Sequence, residues 1–415
     1  MSATGSSLLY IYHPTQILAG TVTLPASKSE SNRALIIEAL SGAGSKLDNL
    51  SEANDTRVIT RLLQETATEL NAEDAGTVMR FMTAYLAVTG QQKTITGTPR
   101  MLQRPIGVLV DALRELGAQI DYLGQEGYPP LAFRGIDRNH NYPATLQVRG
   151  DISSQYISAL LMVAPLFPNG LTLELTGKVG SRPYIQMTLA LMKHFGVEGH
   201  FEGNIVHVPP QMYQPAHYII ESDWSGASYW YSMVALAKEA TVELKGLRRN
   251  SFQGDSAIAT IMQNIGVETT YNEGSVTLTK TARTRVFSYD FSDCPDLAQT
   301  IAVVCAAKGI AAEMSGLESL RIKETDRIAA LQQELRQIGG DLEDIGNGVF
   351  RVKPAVAFTS VPEFQTYEDH RMAMAFAPLA LLSKVAIHEP HVVRKSYPRF
   401  WQDLESMGFA LEASN

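Results

Sequence analysis

The sequence predicts an α/β protein of six like units, three in each of two domains. Three observations carry this. First, an amphipathic helix, a glycine and a short strand-like segment recur five times: VDALRELGAQIDY, LALMKHFGVEGHF, IATIMQNIGVETTY, LQQELRQIGGDLED and WQDLESMGFALEA. Their glycines, Gly117, Gly196, Gly266, Gly339 and Gly408, are spaced by 79, 70, 73 and 69 residues. A glycine just past a helical apolar period is the usual left-handed residue that ends a helix, and near-equal spacing marks an internal repeat. Second, six strongly apolar helical segments recur at the same period. Third, 415 residues with 45% hydrophobic and 19% charged side chains can build ample core. Six units of helix and sheet exceed one core at this length, so two domains of three are expected.

In chain order, SNRALIIEALS begins near Ser31 and opens a shortened unit. TVMRFMTAYLAVTG begins near Thr77, leads to the strand KTITG, and its unit ends in the helix before Gly117. SQYISALLMVAPLF from Ser154 leads to LTLELTG and to the helix before Gly196. ASYWYSMVALAK from Ala227 leads to TVELKG and Gly266. DLAQTIAVVCAAKG from Asp296 leads to Gly339, and HRMAMAFAPLALL from His370 leads through KVAIHE to Gly408. These helices are apolar nearly all round, so they should be buried. The short segments between are rich in β-branched residues and read as strands. No long Pro/Gly/Ser linker occurs. The chain is therefore expected to cross between domains in short hinges near Leu18–Val22 and Ile219–Trp224, giving one domain of 1–20 with 222–415 and another of 21–221.

Composition excludes several classes. The formal charge is −8, from 35 Lys+Arg against 43 Asp+Glu, which argues against general nucleic-acid or anionic-membrane binding. Two cysteines, Cys294 and Cys305, cannot make a disulfide scaffold, and no Cys/His cluster suggests zinc. The opening residues MSATGSSLLYIYHPTQ have neither a basic n-region nor a long apolar stretch, so no signal peptide is expected. No apolar run reaches 18 residues, so no transmembrane helix is expected. A cytoplasmic protein is the expectation, with Cys305 as core filler in its helix and Cys294 in a helix-start loop. No repeat carries an extra apolar face, so a monomer is expected.

Polar residues crowd the starts of the buried helices. The first has Ser27-Lys28-Ser29-Glu30-Ser31-Asn32-Arg33, the second Asp74-Ala75-Gly76-Thr77 with Arg80, and the third Asp151 with Ser153-Ser154-Gln155. The fifth has Asp293 and Asp296, and the sixth Glu368-Asp369-His370-Arg371. Ser, Thr and Asp are preferred N-caps, and capping accounts for some of these, Thr77 and Asp296 in part. It does not account for Lys28, Arg33, Arg80 and Arg371, because a cation at a helix start opposes the helix dipole unless an anion lies between them. Several N-termini aimed at one place make an anion site. The loops after the strands add Arg100, Arg104, Lys178, Arg182, Arg321, Lys323, Arg394 and Lys395, as a focused positive pocket for phosphates or carboxylates would need. Neither GxxxxGK[ST] nor GxGxxG is present, so the usual nucleotide cradles are absent. In RIKETDRI, Glu324 and Arg327 can form an i, i+3 pair, or Lys323 and Glu324 can form an acid–base site; the sequence leaves both open.

At these residues the chain resembles the 5-enolpyruvylshikimate-3-phosphate synthase family (3-phosphoshikimate 1-carboxyvinyltransferases). The segments that carry the resemblance are LPASKSESNRALI, DAGTVMR, PRMLQRPIGVLVDALRELGA, DISSQYISALLM, SRPYI, RIKETDRI, YEDHRMAMAFA and KSYPRFW, from about Thr21 to Gly408. The resemblance implies the two-domain enolpyruvyl transferase fold, with six βαβαββ-type units and buried helices that point their N-termini at the interdomain cleft. It implies transfer of the enolpyruvyl group of phosphoenolpyruvate to the 5-hydroxyl of shikimate 3-phosphate, with release of phosphate through a tetrahedral intermediate, on the route to aromatic amino acids. It implies no metal and no organic cofactor.

By the same resemblance, shikimate 3-phosphate would meet Lys28, Ser29, Arg33, Ser153, Ser154, Gln155, Ser181, Tyr184, Asp296, Ser319 and Lys323. Phosphoenolpyruvate would meet Lys28, Gly76, Arg104, Gln155, Arg327, Arg371 and Lys395. Asp296 would take the proton of the 5-hydroxyl and Glu324 would protonate the methylene carbon, with Lys28 and Lys323 beside it. Three positions depart from the family pattern: Asp74 and Ser319 stand where Asn is usual, and Phe81 where Pro is usual. Asp74 adds negative charge beside the expected phosphoenolpyruvate site and is expected to weaken phosphoenolpyruvate and glyphosate binding unless another cation compensates. The enolpyruvyl transferase acting on UDP-N-acetylglucosamine shares the implied fold but carries a reactive Cys in its first domain, and this chain has no Cys before residue 294. A non-catalytic ligand-binding homologue is the other alternative; the joint presence of Lys28, Asp296, Glu324, Arg371 and Lys395 argues against it.

Overall fold

In a computed structural model the described residues are 7–137, 140–151, 153–282, 286–356 and 360–414. They divide into two compact units: a terminal unit, Met1–Ala26 with Glu221–Asn415, and a central unit, Ser27–Ile220.

One repeat of the terminal unit shows the pattern whole. Strand Val286–Asp290 leads through helix Ala298–Lys308 to strand Ala311–Ser315, which pairs with it in parallel from Val286↔Ala311 to Asp290↔Ser315. A parallel pair needs a crossover connection, and the apolar helix is that crossover. Helix Arg327–Arg336 then leads into the hairpin Asp341–Asp344 and Phe350–Lys353, whose second strand closes antiparallel on Ala311–Ser315. The unit is therefore βαβαββ. The central unit repeats it twice, around helices Gly76–Thr89 and Ser154–Val163. The terminal unit repeats it twice more with strands borrowed from the amino end. Ile17–Thr23 pairs in parallel with Glu239–Lys245, and Leu8–Tyr12 lies between Val385–His388 and Ala410–Ala413.

The shortened unit follows helix Lys28–Ser41. Its sheet has two strands, Lys46–Asp48 and His217–Ile219. It also contains helix Asn54–Gln64, which the repeat pattern did not anticipate. The first crossing between units falls between Ala26 and Ser27 rather than near Leu18–Val22, because Ile17–Thr23 is paired along its whole length inside the terminal unit. The second falls between Ile220 and Glu221.

In each unit the three apolar helices pack on one another: Lys28–Ser41, Gly76–Thr89 and Ser154–Val163 in the central unit, and Trp224–Leu236, Ala298–Lys308 and His370–Phe376 in the terminal unit. Helix Trp224–Leu236 hides every residue but Ser225, so it is buried on all sides rather than on one stripe. The five repeat glycines all have positive φ, between 73° and 104°. At Gly266 the left-handed backbone lets its N–H reach the carbonyl of Met262 and close the helix. Several helix starts differ from expectation by one to three residues. Ser27 accepts the N–H of Glu30, so the first helix begins at Lys28. The fourth begins at Trp224, since Asp223 is its cap. Asp296 sits in a short 3₁₀ turn, Pro295–Leu297, that precedes Ala298. Among the described residues no helix is long and apolar enough to cross a membrane.

Candidate active site

In the terminal unit the starts of the three buried helices bring opposite charges together. Arg371, the second residue of its helix, donates from Nη2 to Asp296 Oδ2 at 3.0 Å. It also reaches Tyr229 Oη at 3.4 Å and Ser225 Oγ at 3.5 Å on helix Trp224–Leu236. Arg327 is the hub of the cluster. It donates from Nη1 to Asp296 Oδ1 at 2.9 Å, from Nη2 to Glu324 Oε2 at 2.8 Å, and from Nε to Asp369 Oδ2 at 2.7 Å. Lys323 Nζ stands 3.7 Å from Asp296 Oδ1. Lys395 Nζ donates to the carbonyl of Glu368 at 3.1 Å.

Asp296 therefore faces three cations. Burial acts to raise its pKa, but Arg371, Lys323 and Arg327 together hold it well below the usual carboxylate range. Burial acts to lower Arg327, and Asp369, Glu324 and Asp296 outweigh it, holding the guanidinium above its ordinary value. The backbone that presents these groups is partly strained. Tyr367 and Glu368 have φ of 53° and 57°, a left-handed turn of two non-glycine residues. The turn places Asp369 so that its Oδ1 accepts the N–H of Arg371 at 2.8 Å and caps the helix. Asp326 caps helix Arg327–Arg336 with bonds from the N–H groups of Ile328 and Ala329, both 3.1 Å.

The central unit gathers cations and hydroxyls. Lys28 opens its helix 3.3 Å from Asp55 Oδ2, at the start of helix Asn54–Gln64. Ser153 caps helix Ser154–Val163 by accepting the N–H of Gln155, and Gln155 Nε2 donates to Thr77 Oγ1 at 3.0 Å. Two further helix starts thus meet side chain to side chain. A Cβ at Gly76 would fall 2.6 Å from Arg104 Nη1, so only glycine lets that guanidinium lie on the helix start. Ser181 has φ 55° just before helix Arg182–His194, a left-handed residue of the kind that clusters at functional sites.

Arg33 is placed differently from expectation. It is 2% exposed, and its Nε, Nη1 and Nη2 donate to Thr188 Oγ1, Ser29 O and Ser158 Oγ at 2.8, 2.8 and 2.9 Å. The rings of Phe81 and Tyr184 lie 5.4 and 5.6 Å from its guanidinium carbon. Burial lowers its pKa to about 10. Arg33 thus backs Ser29 and Tyr184 from inside. Arg80 is likewise internal: it donates to the carbonyls of Gly76 and Pro105 at 3.2 and 2.7 Å. Arg182 donates to the carbonyl of Gly203 at 2.8 Å, and Arg321 makes an exposed pair with Asp326 at 3.4 Å. Asp74 is half-buried in the loop before Gly76. Ser319 lies in the 3₁₀ turn Glu318–Ile322, which Lys323 ends.

The two readings of RIKETDRI resolve within one geometry. Glu324 does pair with Arg327, while Lys323 turns to Asp296 rather than to Glu324. Neither Thr77 nor Asp296 is the cap of its helix: the N-cap before Gly76 is Ala75 and that before Ala298 is Leu297, both without a side-chain cap bond, and Asp296 is held by cations. Sequence reasoning missed Asp55, Ser225, Tyr229 and Asp369 as members of the site. Asp369 lay inside the quoted YEDHR segment, but its cation is 42 residues away and no spacing rule links the two. Cys294 and Cys305 are free and buried, and burial raises both thiols, which leaves neither a ready nucleophile.

A family model described as EPSP synthase (3-phosphoshikimate 1-carboxyvinyltransferase) matches residues 12–75 and 61–404. The 3-phosphoshikimate 1-carboxyvinyltransferase of Bacteroides fragilis is 48% identical over 403 residues, 96% of this chain and 97% of that protein. The protein of the same name from Citrobacter koseri is 38% identical over 423 residues, 94% of this chain and 97% of its own length. Among solved structures, the EPSP synthase of Acinetobacter baumannii superposes with a TM-score of 0.80 at 19% identity, covering 98% of this chain and all of that one. The enolpyruvyl transferase NikO of Streptomyces tendae gives 0.73 at 14% identity, covering 98% of each chain. At those identities the structures speak for the fold alone, the two-domain enolpyruvyl transferase architecture. The family model and the two relatives, which run along nearly the whole length, establish that the chain belongs to the EPSP synthase (3-phosphoshikimate 1-carboxyvinyltransferase) family.

Proposed function

We propose that the protein transfers the enolpyruvyl group of phosphoenolpyruvate to the 5-hydroxyl of shikimate 3-phosphate, releasing phosphate. The observation that carries this reading is Asp296 set among Arg327, Arg371 and Lys323 at the start of a buried helix. Both substrates are polyanions, and guanidinium groups bind phosphate and carboxylate in paired hydrogen bonds. Arg327, Arg371 and Lys395 take phosphoenolpyruvate from the terminal unit, and Lys28, Gly76, Gln155 and Arg104 from the central unit. Ser29, Ser153, Ser154, Gln155, Ser181 and Tyr184 take shikimate 3-phosphate, with Arg33 fixing Ser29 and Tyr184 from behind. Ser319 and Lys323 belong to the same set.

The depressed pKa of Asp296 bears directly on the chemistry. A carboxylate held ionised by three cations is a weak base. When an anionic substrate draws on Arg371, Arg327 and Lys323, less positive charge is left for Asp296 and its basicity rises. Substrate binding thereby readies the base that accepts the 5-hydroxyl proton. The hydroxyl oxygen then bonds to C2 of phosphoenolpyruvate while C3 takes a proton from Glu324, giving the tetrahedral intermediate. Return of a C3 proton to the Glu324 carboxylate, with cleavage of the C2–O bond to phosphate, then forms the enol ether. The developing charge stays among preorganised cations throughout, which is the main electrostatic contribution.

UDP-N-acetylglucosamine is the weaker alternative acceptor, given the absence of any cysteine in the central unit. A cytoplasmic monomer suits two free, buried thiols, and light scattering would report the mass in solution. The test of function is phosphate release from phosphoenolpyruvate, with and without shikimate 3-phosphate. Release should depend on shikimate 3-phosphate and fall by about 10²–10⁴ in Asp296→Asn, the range for losing a general base. Release that ignores shikimate 3-phosphate, or an undiminished variant, would sink the reading.

A further inference from the structure

Behind the charged cluster of the terminal unit lies a carboxylate that the reaction does not use. Asp255 stands in the 3₁₀ turn Gly254–Ala257 and is 3% exposed. Its Oδ2 accepts the hydroxyl of Ser225, and its Oδ1 is buried and accepts no hydrogen bond from the described residues. Ser225 is the one residue of its helix that is not buried, and the same hydroxyl oxygen lies 3.5 Å from Arg371 Nη2. Arg371 Nη2 in turn holds Asp296 at 3.0 Å. The order Asp255–Ser225–Arg371–Asp296 is therefore continuous. A carboxyl with one satisfied oxygen and one orphaned oxygen is costly to keep inside a protein when ionised, and among the described residues no cation forms an ion pair with it.

We propose that Asp255 is a positioning residue for the reaction: through Ser225 it sets how much positive charge Arg371 presents to the anionic substrate, carrying a proton while an anion is bound and losing it to solvent when the site empties. This rests on the reading of Arg371 and Asp296 given above. The groups facing Asp255 are the cap Asp223 and Ser225 at the start of helix Trp224–Leu236, Cys294 and Asp296 before helix Ala298–Lys308, and Arg371 on helix His370–Phe376. Burial first, and then Asp296, raise the Asp255 pKa to about 7, against the pull of Arg371 and Ser225. The group is thus poised to change charge near neutrality. A bound anion adds negative charge and raises its proton affinity further, so protonation and anion binding favour each other. The only bond made is O–H, and the proton comes from solvent.

The sign follows. Below about pH 7 Asp255 is already neutral and binding costs nothing extra. Above it, binding must either take up a proton or oppose a second negative charge, so affinity for phosphoenolpyruvate falls by up to about ten-fold per pH unit. Asp255→Asn keeps the shape and removes the charge change. The Michaelis constant for phosphoenolpyruvate is measured in the full-length wild type and variant from about pH 6 to 8.5, at saturating shikimate 3-phosphate. The ratio of wild-type to variant constants should start near one and climb about ten-fold, while kcat moves less. Dividing by the variant cancels the titration of phosphoenolpyruvate itself. A ratio constant within about two-fold overturns the proposal and leaves the reading of the site intact. A wild type that releases no phosphate overturns that reading and the proposal with it. If circular dichroism shows Asp255→Asn unfolded, Ser225→Ala replaces it. Ser225→Ala breaks the link between Asp255 and Arg371, so the same climb is expected and a flat ratio again overturns the proposal.

Discussion

Gly76 and Arg104 show how one missing atom shapes the site. The guanidinium of Arg104 occupies the space where a side chain at 76 would begin, with Nη1, Nη2 and the central carbon 2.6–2.8 Å from an ideal Cβ. Gly76→Ala should therefore displace Arg104 and leave the helix itself sound, since alanine is the better helix former. We expect the Michaelis constant for phosphoenolpyruvate to rise about ten-fold, roughly one charge-assisted hydrogen bond, with kcat and the melting temperature nearly unchanged; steady-state kinetics alongside a thermal melt decides it. Asp255 predicts the opposite balance. Its folded pKa, about 7, lies above the ordinary aspartate value of 3.8. A raised acid contributes stability that is fully present below the unfolded pKa and lost as pH rises through the folded one. Three pKa units correspond to a ceiling of about 4 kcal/mol. Asp255→Asn should thus gain about 2–4 kcal/mol over wild type between pH 4.5 and 8, measured by urea unfolding at each pH. A gap that does not widen with pH would mean that Asp255 keeps an ordinary pKa. These contacts were only partly legible in the sequence. Clustering of Lys28 and Arg371 at helix starts could be read from their opposition to the dipole. That Arg33 and Arg80 face inward, and that Asp369 and Asp255 stand behind the visible cluster, could not, because each depends on which helices pack together.

At the level of elements the sequence is legible wherever the signal is periodic. Apolar helices closed all round must be buried, and glycines at a fixed period must end helices; the five repeat glycines do so with positive φ. What escaped was helix Asn54–Gln64, and with it the partner of Lys28, because the shortened unit breaks the period. Helix Arg327–Arg336 links element stability to function. Asp326 accepts two N–H bonds at its start, and the next residue is the hub arginine. Asp326→Ala should cost about 1 kcal/mol as a lost N-cap, and the exposed pair with Arg321 adds little. That corresponds to a fall of about 2–4 °C in the melting temperature for a unit of this size. A frayed first turn also loosens Arg327 between Asp296 and Asp369, so the Michaelis constant for phosphoenolpyruvate should rise with it. Asp326→Ser, which can still cap, should recover most of both effects. Recovery of stability without recovery of the Michaelis constant would show that the cap does not position Arg327.

For the whole molecule, the chain enters and leaves the central unit at neighbouring points. Ala26 bridges Ser222, and Asp223 N–H donates to the carbonyl of Pro25 at 2.8 Å, so both crossings are fastened within the terminal unit. An insertion with adjacent ends is the arrangement that lets a unit fold by itself. Ser27–Ile220 has its own three packed helices and its own sheets, including the pair Lys46–Asp48 with His217–Ile219 that ties its first strand to its last. The terminal unit, by contrast, takes Leu8–Tyr12 and Ile17–Thr23 from one side of the insertion and everything else from the other. Two of its three sheets are complete only when two distant pieces meet, which adds loop-closure entropy that grows slowly with the length of the insertion. The central unit expressed alone should therefore unfold in one cooperative urea transition, with native-like far-ultraviolet circular dichroism. Residues 221–415 alone, lacking both borrowed strands, should not, and adding a peptide spanning 7–26 in excess should restore a transition whose midpoint rises with peptide concentration. A central unit without a cooperative transition would mean that its three helices do not form a sufficient core, and that the two units fold only as one.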